Sequence, residues 1–461
     1  MLATALNKSN SWWQNNTVIF DYTTSARSEL KQLIEACTQR RITAVLGARR
    51  VGKSTLLLQT IAHLLQTGVD NKRILYFSGD TPTLRAYSTS QIIDYYLTEV
   101  LNEADSALTN RVYIFIDEVH VLDDWQLHLK DYYDRRVTIK FFVSGSSAAH
   151  IMLHSKESLQ GRIERQVIFP LRFSQYARMQ VAAHSTETSL DEFFSTSIDW
   201  LDPHSSAMQY SSTYNMLLGL CEPAVNSLIN RYLICGGYPE LLAYDNDRQW
   251  LHHLGEDIVY AALFKDIINI FNIKNPEILE RLLYAIADHS GQGFSYTSLG
   301  ETVGLDRLTA SIYADYLQKS FLINISEPYS TNVAKTIRKN KKLYISDCGI
   351  RNALLREYTL TDKSRGLLAE GAVYNALKQF ADNNFATVGY WREGKQEVDA
   401  VLNLGNKLIP IEVKFRNKFT DSDLGGLHAF MREFDCQYGI VITKNQLSIK
   451  DKVVYVPFWM V

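Results

Sequence analysis

The segment Gly47-Ala48-Arg49-Arg50-Val51-Gly52-Lys53-Ser54 constrains this chain more than any other feature. It follows an apolar run, Thr43 to Leu46, and precedes a helical pattern, Thr55 to Leu65, so the glycine-rich stretch falls on a strand-to-helix turn. That context turns an eight-residue pattern into a phosphate-binding loop. Glycines let backbone amides turn toward phosphate oxygens, and the helix N-terminus behind them adds positive potential. Lys53 is expected to reach β and γ phosphates and Ser54 to offer its hydroxyl to Mg²⁺. Gly47, Arg49, Arg50, Val51, Gly52 and Thr55 complete the expected nucleotide contacts.

A second motif lies sixty-four residues beyond Lys53, where Val112-Tyr113-Ile114-Phe115-Ile116 runs into Asp117 and Glu118. A buried strand that ends in two acids sets Asp117 at the carboxyl edge of a sheet, where it can hold the metal, and leaves Glu118 to polarise an attacking water. The run Phe141 to Val143 ends in Ser144-Gly145-Ser146-Ser147, and Ser144 is expected at the same edge as a contact for the γ-phosphate. Arg162 and Arg165 are candidate sources of positive charge for the transition state, from the same chain or a neighbouring one. These residues imply an ATPase that uses ATP and Mg²⁺. A small kinase fits less well, because Glu118 directly follows Asp117 and suits water activation.

Between Arg41 and Val167 short apolar runs at Thr43–Leu46, Ile74–Phe77, Val112–Ile116 and Phe141–Val143 alternate with helical patterns, the rhythm of a parallel sheet with crossover helices. Residues 171–275 read as mostly helical, interrupted at Gly236-Gly237-Tyr238-Pro239. From Ile278 to Ile325 the pattern is three short helices and a strand, with Asp306 a plausible N-cap and Phe321 to Ile325 the start of a wing. The remainder returns to mixed α and β signals. The expected fold class is α/β, in three parts: an ATPase domain with a helical extension (1–240), a helical and winged-helix-like domain (241–340) and a C-terminal α/β domain (341–461).

The 48 basic and 50 acidic residues nearly cancel, so net charge marks no nucleic-acid binder. Locally, Lys335 to Lys418 holds sixteen Lys and Arg against nine Asp and Glu, and Arg338-Lys339-Asn340-Lys341-Lys342 is a candidate phosphate contact for bound DNA. The five cysteines are widely spaced, which suits a reducing compartment. No segment reads as a secretory signal or a membrane span. The expectation is a cytoplasmic protein.

The motifs together resemble a known family, the prokaryotic ATPases of the AAA superfamily that carry an AAA_14 domain followed by a DUF4143 domain. The resemblance rests on Gly47 to Ser54, Asp117-Glu118 with Trp125, Ser144-Gly145-Ser146, Gly161-Arg162, Pro170-Leu171 and Gly236 to Glu240. It continues through Lys342-Leu343-Tyr344-Ile345-Ser346-Asp347 and Glu370-Gly371-Ala372-Val373 to Ile411-Glu412-Val413-Lys414. It implies an AAA+ type P-loop NTPase core, a winged-helix-like middle and a C-terminal domain with a restriction-endonuclease-like fold. His120 stands where the resemblance leads one to expect Gln.

In the last part, Glu397-Val398-Asp399 precedes Glu412-Val413-Lys414 by one strand. Alternation points Glu412 and Lys414 to one face. Such a cluster suits Mg²⁺ held by Asp399 and Glu412, with Lys414 orienting a water and Glu370 completing the set. It resembles the PD-(D/E)XK nucleases, with Val398 where that pattern places Pro. Two functions follow. In one, ATP hydrolysis controls a nuclease-like domain acting on DNA, with Asp399, Glu412 and Lys414 catalytic. In the other, an ATP-gated switch binds a partner protein through a domain that cuts nothing; a regulatory protein and self-association are the candidate partners.

Overall fold

The computed structural model describes residues 1–18, 27–145, 159–184, 194, 198–273, 275–332 and 339–461. The chain divides into two compact units, Met1–Ile168 and Phe169–Val461.

The first unit is built on five parallel strands, β1 (Ile42–Leu46), β2 (Ile74–Ser78), β3 (Val112–Asp117), β4 (Ile139–Gly145) and β5 (Ile163–Val167), in the order β2-β3-β4-β1-β5. β1 is buried at every position, as a strand covered on both faces must be, and its residues are accordingly apolar or small. Stacked Phe115 and Phe142 rings, 4.7 Å apart, join β3 to β4. Because β4 lies between β1 and β3, the chain that leaves β1, β3 and β4 emerges at one edge of the sheet, side by side. Strand β5 carries Glu164, Arg165 and Gln166 and is only partly buried, as an edge strand allows.

Two short helices, Leu2–Ser9 and Trp12–Asn15, close the opposite edge, along β2. Asn10 accepts from the Tyr76 amide (2.7 Å) and donates to the Tyr76 carbonyl (2.8 Å), so one side chain completes the bonding of an edge residue.

The second unit contains a mixed sheet of nine strands: β6 (Gly293–Phe294), β7 (Ile323–Pro328), β8 (Lys341–Ile345), β9 (Thr387–Glu393), β10 (Gln396–Asn403), β11 (Leu408–Lys414), β12 (Gly439–Thr443), β13 (Ser448–Lys450) and β14 (Val453–Pro457). Their order is β13-β14-β12-β11-β10-β9-β7-β8-β6. The run from Phe321 to Ile325 therefore leads into a sheet strand, which pairs with β8 along Ile323–Ser326 and with β9 at Glu327 and Pro328. Before it come the helices Pro276–Asp288, Tyr296–Val303 and Arg307–Lys319. Gly304 ends the second in the left-handed conformation, and the Asp306 side chain accepts from Leu308 and Thr309 to cap the third.

Three of the motifs that carry the resemblance meet inside this unit. Asp347 caps the Cys348–Leu355 helix and accepts from the Gly237 amide at 2.7 Å. Leu171 donates to the Gly237 carbonyl, and Tyr232 donates to the Leu171 carbonyl. A Cβ on Gly237 would sit 2.0 Å from the Leu171 oxygen, so no larger residue fits. Among the described residues no helix is long and apolar enough to cross a membrane.

Candidate functional site

The phosphate loop leaves β1 at Leu46. Gly47 packs so closely on the chain beyond β5 that a Cβ would lie 2.2 Å from the Ile168 carbonyl oxygen. Gly52 adopts a φ of 95° as it caps the Lys53–Gln66 helix, a conformation that favours glycine. Arg50, at φ 60°, is exposed and Arg49 half-buried, while Ser54 and Thr55 occupy the first helical turn. Val51 is buried, and its carbonyl accepts from Arg27 at 2.7 Å. Lys53 is also buried. Its Nζ donates to the carbonyls of Gly47 (3.1 Å) and Ala48 (2.9 Å), which puts the ammonium inside the loop.

One strand over, Ser144 stands level with Val45, and the end of β3 stands level with the end of β4. The buried Asp117 carboxylate is held at both oxygens. Ser144 Oγ and the Glu118 amide donate to Oδ1, and Tyr76 Oη donates to Oδ2 at 2.9 Å. Burial, and then the negative charge of Asp117, raise the Tyr76 phenol well above its ordinary pKa, so it stays a donor. Glu118 takes the left-handed conformation at φ 45°, and His120 Nδ1 lies 3.2 Å from its Oε2. The residue found in place of the expected Gln thus touches the acid expected to activate water.

Loop, Asp117, Glu118 and Ser144 are thereby brought to one sheet edge. Ser146 and Ser147 lie outside the described residues. Arg162 does not join this group. It precedes β5 at the edge away from the loop, where it pairs with Asp134 at 2.7 Å. Arg165 sits opposite Ala44, mid-strand. Sequence reasoning also missed Tyr76, Arg27 and Asn10. A tyrosine in an apolar strand reads as core, and nothing local to Arg27 or Asn10 marks their long-range partners.

The second acidic cluster assembles in the other unit. β10 and β11 are antiparallel, with Ala400 opposite Ile411, while the pairing of β10 with β9 shifts register between Val398 and Val401, a stretch that includes Asp399. Such irregularities re-aim side chains. Asp399 Oδ2 accepts from the Val413 amide at 2.8 Å, and Lys414 donates to Glu412. At the centre is Lys342, a member of the basic run expected from sequence to contact DNA phosphates. Its Nζ is 2.6 Å from Glu397, 3.3 Å from Glu370 and 3.9 Å from Asp399. Burial opposes its charge, yet Glu370, Asp399 and Glu397 together hold it protonated above its usual range. Burial, then repulsion from Asp399, push Glu370 up to about 7 and Glu412 up to about 8. The rest of that basic run is likewise engaged, Lys341 with Glu327 and Lys339 with the Arg392 carbonyl; Arg338 lies outside the described residues.

The two acidic sites differ in their fit to a metal. Ser54 and Asp117 offer hard oxygen donors beside a phosphate loop, a set that suits Mg²⁺. Around Asp399 and Glu412 the protein's own ammonium groups neutralise the carboxylates. Among the described residues, no group of three or more His, Cys, Asp or Glu is placed to hold an ion.

Residues 39–177 match the family model AAA_14, described as an AAA domain. With the loop and the Asp117-Glu118 strand, that match supports an AAA-type ATPase domain over residues 39–177. Residues 226–360 and 365–461 match two domains of unknown function, DUF8612 and DUF4143. An uncharacterized protein of Methanocaldococcus jannaschii is 23% identical over 91% of this chain and 84% of its own length. An uncharacterized protein of Haemophilus influenzae is 22% identical over 85% and 86%. Among solved structures, a Walker-type ATPase of Pyrococcus abyssi covers 72% of this chain and 95% of its own at 15% identity and a TM-score of 0.42. The Aeropyrum pernix Orc1 protein in complex with DNA covers 75% and 96% at 11% identity and a TM-score of 0.30.

Proposed function

We propose that the chain binds ATP with Mg²⁺ and hydrolyses it, and that the nucleotide cycle controls the C-terminal domain. The observation that carries the hydrolytic reading is the convergence of the loop, Asp117, Glu118 and Ser144 at the ends of three neighbouring strands. The loop amides and the helix N-terminus receive the phosphates. Lys53 exchanges the carbonyls of Gly47 and Ala48 for β and γ oxygens. Ser54 and Asp117 would hold Mg²⁺, which would supply positive charge to the phosphates. Ser144 steadies Asp117. Glu118 orients the attacking water and accepts its proton, and His120 sets the carboxylate's position.

For the C-terminal domain, a nuclease-like action on DNA and the binding of a partner protein without cleavage remain the two uses to compare. Lys342 favours the second. An ammonium ringed by Glu370, Glu397 and Asp399 supplies internally the charge that a nuclease of this pattern takes from a metal.

Phosphate release and duplex cleavage, followed together in Mg²⁺ and in Mn²⁺, test both statements. Wild type should release phosphate, and Lys53→Ala should not. Cleavage that Asp399→Ala abolishes while turnover persists would restore the nuclease reading. Turnover without cleavage supports the binding module.

A further inference from the structure

The N-terminal arm is tied to the ATPase site through a single residue. In a parallel edge strand, alternate residues turn their amide and carbonyl groups outward, and along β2 these are Ile74 and Tyr76. The arm takes both. Trp12 and Trp13 donate their indole N–H groups to the Ile74 carbonyl, at 3.2 and 2.8 Å. Asn10, fully buried, brackets Tyr76 at its amide and its carbonyl, and its Nδ2 also donates to the Leu6 carbonyl at 2.7 Å. The same Tyr76 sends its hydroxyl to Asp117 Oδ2.

We propose that Asn10 and Tyr76 are positioning residues for the metal: the arm fixes Tyr76, and Tyr76 fixes the carboxylate of Asp117 so that it meets Mg²⁺ in one orientation. This rests on the nucleotide reading above. The argument is geometric. Ser144 and the Glu118 amide hold one oxygen of Asp117, and Tyr76 alone among the described side chains donates to the other. Hydrogen bonds to a metal ligand set its orientation, and their loss typically weakens metal affinity by 10- to 100-fold. The Tyr76 hydroxyl bonds to Asp117, the proposed metal ligand, so its effect belongs to the metal and not to ATP itself.

The test separates these. Fluorescent ATP-analogue binding in EDTA reads the loop alone. The Mg²⁺ concentration for half-maximal phosphate release, and Mn²⁺ binding followed by electron paramagnetic resonance, read the metal. Tyr76→Phe keeps the ring and removes only the hydroxyl. It should leave binding in EDTA within about twofold of wild type while raising the metal requirement about tenfold or more. Asn10→Ala, which touches neither metal nor nucleotide, should move the metal midpoint the same way by a smaller factor. A Tyr76→Phe midpoint within about twofold of wild type, by both readouts, overturns the proposal. If Tyr76→Phe does not fold, an unshifted midpoint in a folded Asn10→Ala protein overturns it equally. Wild type that binds no ATP analogue overturns the nucleotide reading, and this one with it.

Discussion

Lys53 and Glu118 hold different roles in the proposed nucleotide site and should fail differently. Lys53→Ala removes the ammonium that the loop holds between Gly47 and Ala48, so ATP affinity and turnover should fall together. Glu118→Gln keeps the shape and loses the base. Turnover should drop by about 100-fold or more while ATP binding persists, read as phosphate release against nucleotide fluorescence. Glu412, paired with Lys414 in the second acidic cluster, carries a different signature. Burial holds Glu412 up to about 8, against an ordinary value of 4.5. Between those values the folded chain keeps a proton that the unfolded chain has released, so stability is complete below 4.5 and is lost as pH climbs toward 8. Unfolding temperature should therefore fall from pH 5 to pH 8, and Glu412→Gln should flatten that slope; an equal slope in both proteins would remove Glu412 as its cause. At this scale the loop and Asp117-Glu118 were legible, because their chemistry depends on local spacing. Lys342 was not, because its partners Glu370, Glu397 and Asp399 are distant in sequence and only the sheet assembles them.

Elements read from the sequence in proportion to their burial. β1 to β4 are apolar runs that no helix would place at such intervals, and each was recognisable within a residue or two of its end. β5 was hidden, because Ile163-Glu164-Arg165-Gln166-Val167 lies at an edge and carries the polar residues that an edge tolerates. The pairing of Ile323–Pro328 into a nine-stranded sheet was hidden as well, since a short strand after a helix does not announce its neighbours. The join at Gly237 is where an element-level claim is sharpest. A Cβ there meets the Leu171 oxygen at 2.0 Å, and the residue also donates to Asp347. Gly237→Ala should destabilise the second unit by about 3 kcal/mol. Asp347→Ala should cost a similar amount, because it leaves buried amides at Gly237 and Gly349 without their acceptor. Denaturant unfolding measures both, and a loss under about 1 kcal/mol in both variants would deny the join its structural weight.

The whole chain holds the proposed nucleotide site in one compact unit and a lysine-neutralised acidic cluster in the other, so control of the second by the first is a claim about linkage. Nucleotide stabilises whatever conformation binds it, by about 2.7 kcal/mol at a hundred times the dissociation constant, and that free energy is the most it can spend on a distant change. A ligand that acts only on residues 1–168 should slow amide exchange around Gly47–Ser54 and Val112–Gly145 and leave the rest untouched. A ligand that controls the C-terminal domain must also change exchange within 169–461, because a domain with equal free energy in both nucleotide states cannot be switched by either. Exchange measured with and without Mg²⁺ and ATP on wild type should show both sets of changes, and Lys53→Ala should show neither. The cluster offers the second place to look: Lys342→Met removes its internal cation, so a nucleotide effect that reaches β8 and β10 in wild type should be altered there in the variant while the loop response stays the same. Changes confined to 1–168 in wild type would separate the two activities and leave the ATPase domain without the partner proposed for it.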